Sequence, residues 1–480
     1  MKSINGWKYG LLCGVLALMA GCAVVREARE AQKAAWGRAT GAEAEAPRVD
    51  LRQASLAELV NWAQTNRPSK VQAALATEDA RLSLRELAAD APLLSRTPWY
   101  APHLNVSGGY SASSASAHFD NLKTRTDGNA SAGLSLELPV WDAGRHAARI
   151  HAASERVIAA ETSLMVAGYD VFEEVANAYF NVLEKDALLA VAFTNVSQHA
   201  ERLKRAKERL DAGEGRELDV LRARLDLAMA REEVVSASND VQTAGAELVR
   251  SLGLDVARAS RLEIMEMRED ALDAPQRGFA DTTGTAREIY TEARLHSPTV
   301  KLARERLRAA SAELDYAIAD LKPSLSASLS LNWTDPLWYW RWGVNAAQSL
   351  FVGGRKKTAV ERARVELARA AAEVDRVEQQ LSHDLEVAIA VRDNARKSLV
   401  TATVSLGEAK KNLDTLTEQL ALGDASRVEF TEAVASYILA MGNRVKAFYF
   451  AQRAEVSLFR LTGRPPVYQE ERVKDWELKR

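Results

Sequence analysis

The chain has 480 residues, 27% of them charged, with a formal net charge of −2. That balance excludes a protein built to hold nucleic acid, which needs a basic excess. Aromatics are sparse at 6% and alanine recurs from end to end, a composition suited to long, closely packed helices rather than a mixed globular core.

Both cysteines, Cys13 and Cys22, lie near the N-terminus. Lys2 and Lys8 precede the apolar stretch GLLCGVLALMA (10–20), which is too short to span a bilayer as a helix. It runs into LMAGC, and small residues before a cysteine resemble a bacterial lipoprotein signal. Residues 1–21 are then a signal peptide, and Cys22 is the acylated first residue of the mature chain. Ala23 after it fits sorting to the outer membrane. Residues 22–55 follow as an anchor segment, helical and then disordered. No later stretch is apolar enough for a membrane helix, so any crossing must be made by strands.

From 138 onward the chain repeats itself at an offset of 210. LPVWDAGR (138–145) recurs as QSLFVGGR (348–355), pairing Trp141 with Phe351, Gly144 with Gly354 and Arg145 with Arg355. Apolar residues step by seven through Ile150, Val157, Leu164 and Val171, then Leu189, Val196, Leu203 and Leu210. Each has an apolar partner 210 residues on, from Val360 to Leu420. Sustained heptads mark coiled-coil packing. Neither stretch contains proline, so each can run as one helix of about 65 residues, ~100 Å long.

Before each long helix the period changes to two. Leu104, Val106, Tyr110 and Ala112 alternate with polar or glycine residues, as do Leu134, Leu136, Leu138 and Val140. In the second copy Leu325, Ala327, Leu329, Leu331 and Trp333 alternate with serines, and Trp338, Trp340, Trp342 and Val344 alternate with Tyr339, Arg341, Gly343 and Asn345. The expected strands lie near 104–113, 130–141, 324–333 and 338–351, about ten residues each, enough to cross a bilayer at a tilt. The tryptophans gather at one end, and Trp141 and Phe351 stand at the other, which makes two aromatic belts. Trp141–Gly144 and Phe351–Gly354 therefore read as strand-to-helix junctions where the chain leaves the lipid. The first hairpin has a long polar loop, Ser113–Asn129, expected outside the cell; the second turns at Thr334–Leu337.

After the long helices, AGEGRELDVL (212–221) and LGDASRVEFT (422–431) read as tight helix-to-helix turns. Ala212, Gly213, Glu214, Leu422, Gly423 and Asp424 form their tips. The returning helices end near Gly253 and Gly463, too soon to match their partners. Helices starting at Pro68 and Pro298, each preceded by a short helix (58–68 and 288–298), complete the climb. The first repeat thus covers 56–253 with its helical hairpin at 145–253, and the second covers 284–463 with its hairpin at 355–463. A connecting segment (254–283) joins them, and a tail (464–480) follows. Four strands cannot close a barrel, and sheet edges are not tolerated in lipid. The edges must pair between chains, and three chains giving twelve strands suit the polar inner face better than two giving eight.

These features, in this order and spacing, resemble the TolC-like outer-membrane factor family and its lipid-anchored efflux branch. The resemblance implies a mostly helical fold with a small β part: two tandem repeats of long coiled-coil helices and strand hairpins. It implies a homotrimer with a twelve-stranded outer-membrane barrel continued by a periplasmic α-helical barrel. It implies an exit duct working with a periplasmic adaptor (membrane fusion protein) and an inner-membrane transporter, in efflux or in type I protein secretion. No cofactor is implied and no nucleic acid. The tip turns become adaptor contacts. Glu429 and Glu432 match the acidic pair lining the closed periplasmic mouth; Asp219 is the first-copy equivalent of Glu429, and Arg216 and Arg427 are candidate partners. An enzyme lacks support, since the seven histidines are scattered and no phosphate loop, metal cluster or nucleophile motif is present. A periplasmic adaptor lipoprotein would carry one coiled-coil hairpin flanked by β-domains, whereas this chain has two hairpins with strands at the opposite helix ends.

Overall fold

The computed structural model describes residues 55–89, 103–115, 125–254, 286–334, 337–348, 354–422 and 426–463, with positions 30 and 32. Cys22, Phe351, Gly423 and Asp424 lie outside the described residues. In chain order the elements are α1 (Leu56–Asn66), α2 (Pro68–Ala89), β1 (His103–Ala115), β2 (Arg125–Trp141), α3 (Arg145–Asp211) and α4 (Glu217–Ser251). The second half repeats the series as α5 (Ala286–His296), α6 (Pro298–Ala319), β3 (Ser324–Thr334), β4 (Leu337–Ala347), α7 (Arg355–Leu422) and α8 (Arg427–Thr462). The fold class is the expected one, mostly helical with a small antiparallel sheet.

The two uninterrupted helices span 67 and 68 residues, each about 100 Å long. No helix among the described residues is long and apolar enough to cross a membrane. The helical hairpins are α3 with α4 and α7 with α8, joined where α8 also packs on α3. Nearer the sheet, α2 and α6 both lie on α3, and α6 also lies on α7. Of the heptad positions, Val157, Val171, Val360 and Leu381 are buried, while those toward the tips are half-buried or exposed in the single chain.

Each returning helix meets a second helix end to end. Gly253 closes α4 in the left-handed region (φ +77°), and a Cβ there would stand 3.2 Å from Arg67 Cα and Pro68 Cδ, at the start of α2. Gly463 closes α8 in the same way (φ +70°), and a Cβ there would stand 2.8 Å from the His296 carbonyl and 3.3 Å from Pro298 Cδ, at the start of α6. Left-handed backbone and missing side chain are both needed for this approach. The middle of α3 serves both joints. Arg67 donates to the Ser251 carbonyl at 3.1 Å and pairs with Glu174, which also meets Arg250 at 3.3 Å. Arg460 reaches Asp170 at 2.8 Å and Glu173 at 3.2 Å, and the Tyr169 hydroxyl donates to the Gly463 carbonyl at 3.1 Å. Burial raises the Glu173 pKa, and the neighbouring Arg460 opposes that rise.

The four strands pair in the order β1-β2-β3-β4, all antiparallel, with β1 and β4 at the edges. Three strands differ in length from the sequence reading, both of the first hairpin and β4. In the first hairpin Ala115 pairs with Arg125 and Ser113 with Asp127, so the ladder runs well into the stretch read as loop. Backbone pairing continues there without an apolar face, and alternation was the only signal available. β4 ends at Ala347 rather than Phe351. A register shift between Pro139 and Trp141 absorbs the proline, whose missing N–H a regular ladder would not accommodate.

Candidate functional site

The site is extended: a sheet with two chemically different faces, two junctions below it, and two tips at the far helix ends. On the sheet, Leu329 pairs with Leu136 and Trp342, while the adjacent rung pairs Ser330 with Ser135 and Arg341. Successive residues point to opposite faces, so one face is leucine and tryptophan and the other serine, asparagine and glycine. Trp338, Trp340 and Trp342 are 61–69% exposed in the single chain. An apolar face that water would penalise is stable only against lipid or another apolar layer. On the polar face a Cβ at Gly133 would sit 2.9 Å from both Asn332 Oδ1 and Ser107 Oγ, so the glycine admits its polar neighbours.

At the first junction Ala143 (φ +54°) and Gly144 (φ +85°) take consecutive left-handed conformations, and the chain turns from β2 into α3. Asp142 accepts from the Gly144 N–H at 3.1 Å and from the His146 N–H at 2.5 Å, filling donors the helix start leaves open. Sequence reasoning passed over Asp142, although an aspartate just before a helix is a capping signal. Trp141 is 48% exposed. At the second junction Gly354 also takes φ +77°. Arg145 does more than begin the aqueous side: it donates to the Lys322 carbonyl at 2.9 Å and pairs with Asp320 at 3.2 Å. Lys356, from the second junction, meets the same Asp320 carboxylate at 3.3 Å and its carbonyl at 2.6 Å.

The first tip is a glycine-closed helix end. Gly213 (φ +76°) donates to the Leu210 carbonyl at 3.0 Å and Glu214 to that of Arg209 at 2.9 Å. Ala212, Gly213, Glu214, Arg216 and Asp219 are exposed. Gly215, not singled out from sequence, folds so closely that a Cβ would lie 2.8 Å from the Leu210 nitrogen. At the second tip Leu422 ends α7 and Arg427 begins α8. There Ser426 and Glu429 form a reciprocal capping box, in which Glu429 accepts from the Ser426 N–H at 2.8 Å and Ser426 Oγ from the Glu429 N–H at 3.2 Å. These bonds lower the Glu429 pKa. Glu432 is exposed. In the single chain Arg216 is the N-cap of α4 and Asp219 lies in its first turn, while Glu429 and Glu432 belong to α8; α4 packs on α3, and α8 on α3 and α7. Among the described residues no cluster of three or more metal-binding side chains occurs.

A family model described as outer membrane efflux protein matches residues 59–254 and 289–464, the two halves of the repeat. The chain is similar to the outer membrane efflux protein BepC of Brucella suis biovar 1, at 21% identity over 367 residues, covering 75% of this chain and 76% of BepC. In fold it is similar to the outer membrane protein VceC of Vibrio cholerae, with a TM-score of 0.67 and 17% identity across 87% of this chain and 99% of VceC. It is also similar to a membrane protein from Pseudomonas aeruginosa, with a TM-score of 0.68 and 22% identity over 85% and 90% of the two chains. The chain belongs to the outer membrane efflux protein family and is an outer-membrane efflux channel, not an enzyme.

Proposed function

We propose that three copies form the exit duct of a tripartite efflux system, receiving substrate through a periplasmic adaptor from an inner-membrane transporter. The observation that carries this reading is the four-stranded sheet with two unpaired edges, one apolar face and one polar face. Open edges cannot rest in lipid, and three such sheets close twelve strands around a polar lumen. The paired long helices continue that lumen below the membrane. The tips at 212–217 and 422–427 meet the adaptor, because they lie farthest from the sheet along the helices. Glu429 and Glu432 line the narrow mouth between the tips, with Asp219 nearby and Arg216 and Arg427 as counter-charges. Cys22 carries lipid that ties the chain to the outer membrane.

Two experiments test this reading. Charged, bulky replacements at Ala212 or Leu422 should block export while leaving trimer yield unchanged; normal export with both replacements sinks the docking role. Cys22→Ser should abolish incorporation of labelled lipid while trimers persist in the membrane. Retained lipid in that variant excludes Cys22 as the acylated residue.

A further inference from the structure

Among the described side chains, the polar face of the sheet carries one cation, Arg341 of β4. Counted from the Thr334–Leu337 pair it stands on the third of six polar rungs, opposite Ser330. The same rung continues through Ser135 of β2 to Asn105 of β1. The guanidinium lies 5.8 Å from the centre of the Tyr339 ring, two residues away on the same face. That cation–π contact holds the charge near the Asn332–Tyr339 rung. On its other side β4 has Gly343, so the strand sets no side chain there.

No acid stands close enough to neutralise it. Of the four strands only β2 contains acids, Asp127 and Glu137. Asp127 lies beyond Ser131, whose pairing with Thr334 is the last rung shared with β3 at that end. Glu137 pairs with Ser328, one polar rung along and two strands across from Arg341. At ordinary strand spacings that is about 12 Å, more than the ~10 Å Debye length of 0.1 M salt. The other flank of β4 is a sheet edge, which in the trimeric reading takes β1 of the next copy. From His103 to Ala115 that strand has no acid, so no register of the joint sets a carboxylate beside Arg341. The repeat supplies no second cation either, since the position 210 residues earlier is Ser131.

We infer that Arg341, once per copy, forms a ring of three cations inside the barrel that draws anionic solutes through the outer stage of the duct. This rests on the trimeric reading above. Twelve tilted strands set the backbone roughly 12 Å from the barrel axis. A guanidinium reaching inward is closer, so its field crosses the bore in 0.1 M salt. Its planar donors match the paired oxygens of an anionic group. The ring is opposite in sign to the acids proposed at the periplasmic mouth. The two ends of the duct therefore favour different charges, and a substrate's anionic group is recognised in the barrel rather than at the tips.

The test reads the local field with a thiol. Asn332→Cys places one on the Tyr339 rung, beside the guanidinium and two polar rungs from the partner of Glu137. In the full chain, purified in a non-ionic detergent, its rates of reaction with anionic sulfonatoethyl and cationic trimethylammonioethyl methanethiosulfonate are compared, each counted above the parent protein. Adding Arg341→Gln should lower the anion-to-cation rate ratio by about tenfold in dilute buffer. The drop should shrink in 1 M salt, and Arg341→Lys should keep the ratio high. Glu137→Gln should leave it within about twofold. A ratio unmoved by Arg341→Gln, or moved as far by Glu137→Gln, overturns the ring. Leu331→Cys, on the apolar face, tests the trimeric reading separately, because detergent should shield it from both reagents. Fast labelling at 331 with none at 332 removes the duct arrangement itself, whereas fast labelling at 332 that ignores Arg341 removes only the ring.

Discussion

Asp320, just beyond α6, accepts Arg145 at 3.2 Å on one carboxylate oxygen and Lys356 at 3.3 Å on the other. One acid thus ties together the two places where a strand becomes a long helix, although the chain separates them by 210 residues. Both cations also reach backbone carbonyls at this helix end, where the dipole favours positive charge. Asp320→Ala should lower stability by about 1–2 kcal/mol, a value reduced for the partial exposure of all three side chains. Denaturant titration of the detergent-solubilised protein measures it. A loss no greater than that of Lys356→Met would mean that the acid holds only one junction.

Glycines with the same backbone conformation should differ in cost. Gly144, Gly213 and Gly354 have open space where a Cβ would go, so alanine there meets only conformational strain, about 1 kcal/mol. At Gly463 an added Cβ would lie 2.8 Å from the His296 carbonyl. Gly463→Ala should therefore be more destabilising than Gly213→Ala by at least about 1 kcal/mol. Equal costs in matched unfolding experiments would show that the α8–α6 joint yields freely.

The acidic pair at the second tip separates into two roles. Glu429 is a capping residue, and the Ser426 N–H and hydroxyl hold its carboxyl below the ordinary carboxylate value. A depressed folded pKa means that its contribution is present above about pH 4.5 and is lost as pH falls through the lower folded value. Amide protection at the start of α8, corrected for the intrinsic exchange rate, should then fall in acid, and already at neutral pH in Glu429→Ala. Glu432 has no part in the capping box, so it isolates the field at the proposed mouth. In planar bilayers Glu432→Gln alone should reduce cation selectivity and weaken block by trivalent cations. Unchanged selectivity in Glu432→Gln, and in Glu429→Gln and Glu432→Gln together, would take both acids out of the gate.

Tyr449 lies buried beside Phe180, and burial, with Tyr179, Asp186 and Glu184 nearby, raises its pKa to about 12. A raised folded pKa means full stability below the ordinary value of 10 and loss as pH rises toward 12. The tyrosinate absorbance of the folded protein should include one late-titrating phenol near 12 that is missing in Tyr449→Phe. That variant should also keep more of its stability above pH 10. An unchanged titration curve would show that Tyr449 is not the shifted group.

The fold was largely legible because it is written twice. A shared offset turned weak signals, such as one glycine or one heptad, into paired ones, and period two against period seven separated strand from helix. The end-to-end joints at Gly253 and Gly463 followed from helix lengths alone. What closes those joints did not. Arg67 finding Ser251 and Glu174, or Asp320 finding Arg145 and Lys356, depends on distant segments meeting, and no local pattern encodes it. Asp142 was readable but overshadowed by its aromatic and glycine neighbours. The extended first hairpin was not readable, because its outer rungs lose the alternation while keeping their pairing. At the tips, Glu429 is placed by its match to the family's acidic pair, whereas the capping box shows that its carboxylate also serves its own helix.

The central claim is that three copies share one duct. Averaged electron micrographs of the detergent-extracted protein, viewed along the helices, test it most directly. The account predicts threefold particles with a single central opening. Monomers, or particles with a separate opening in each copy, would contradict it.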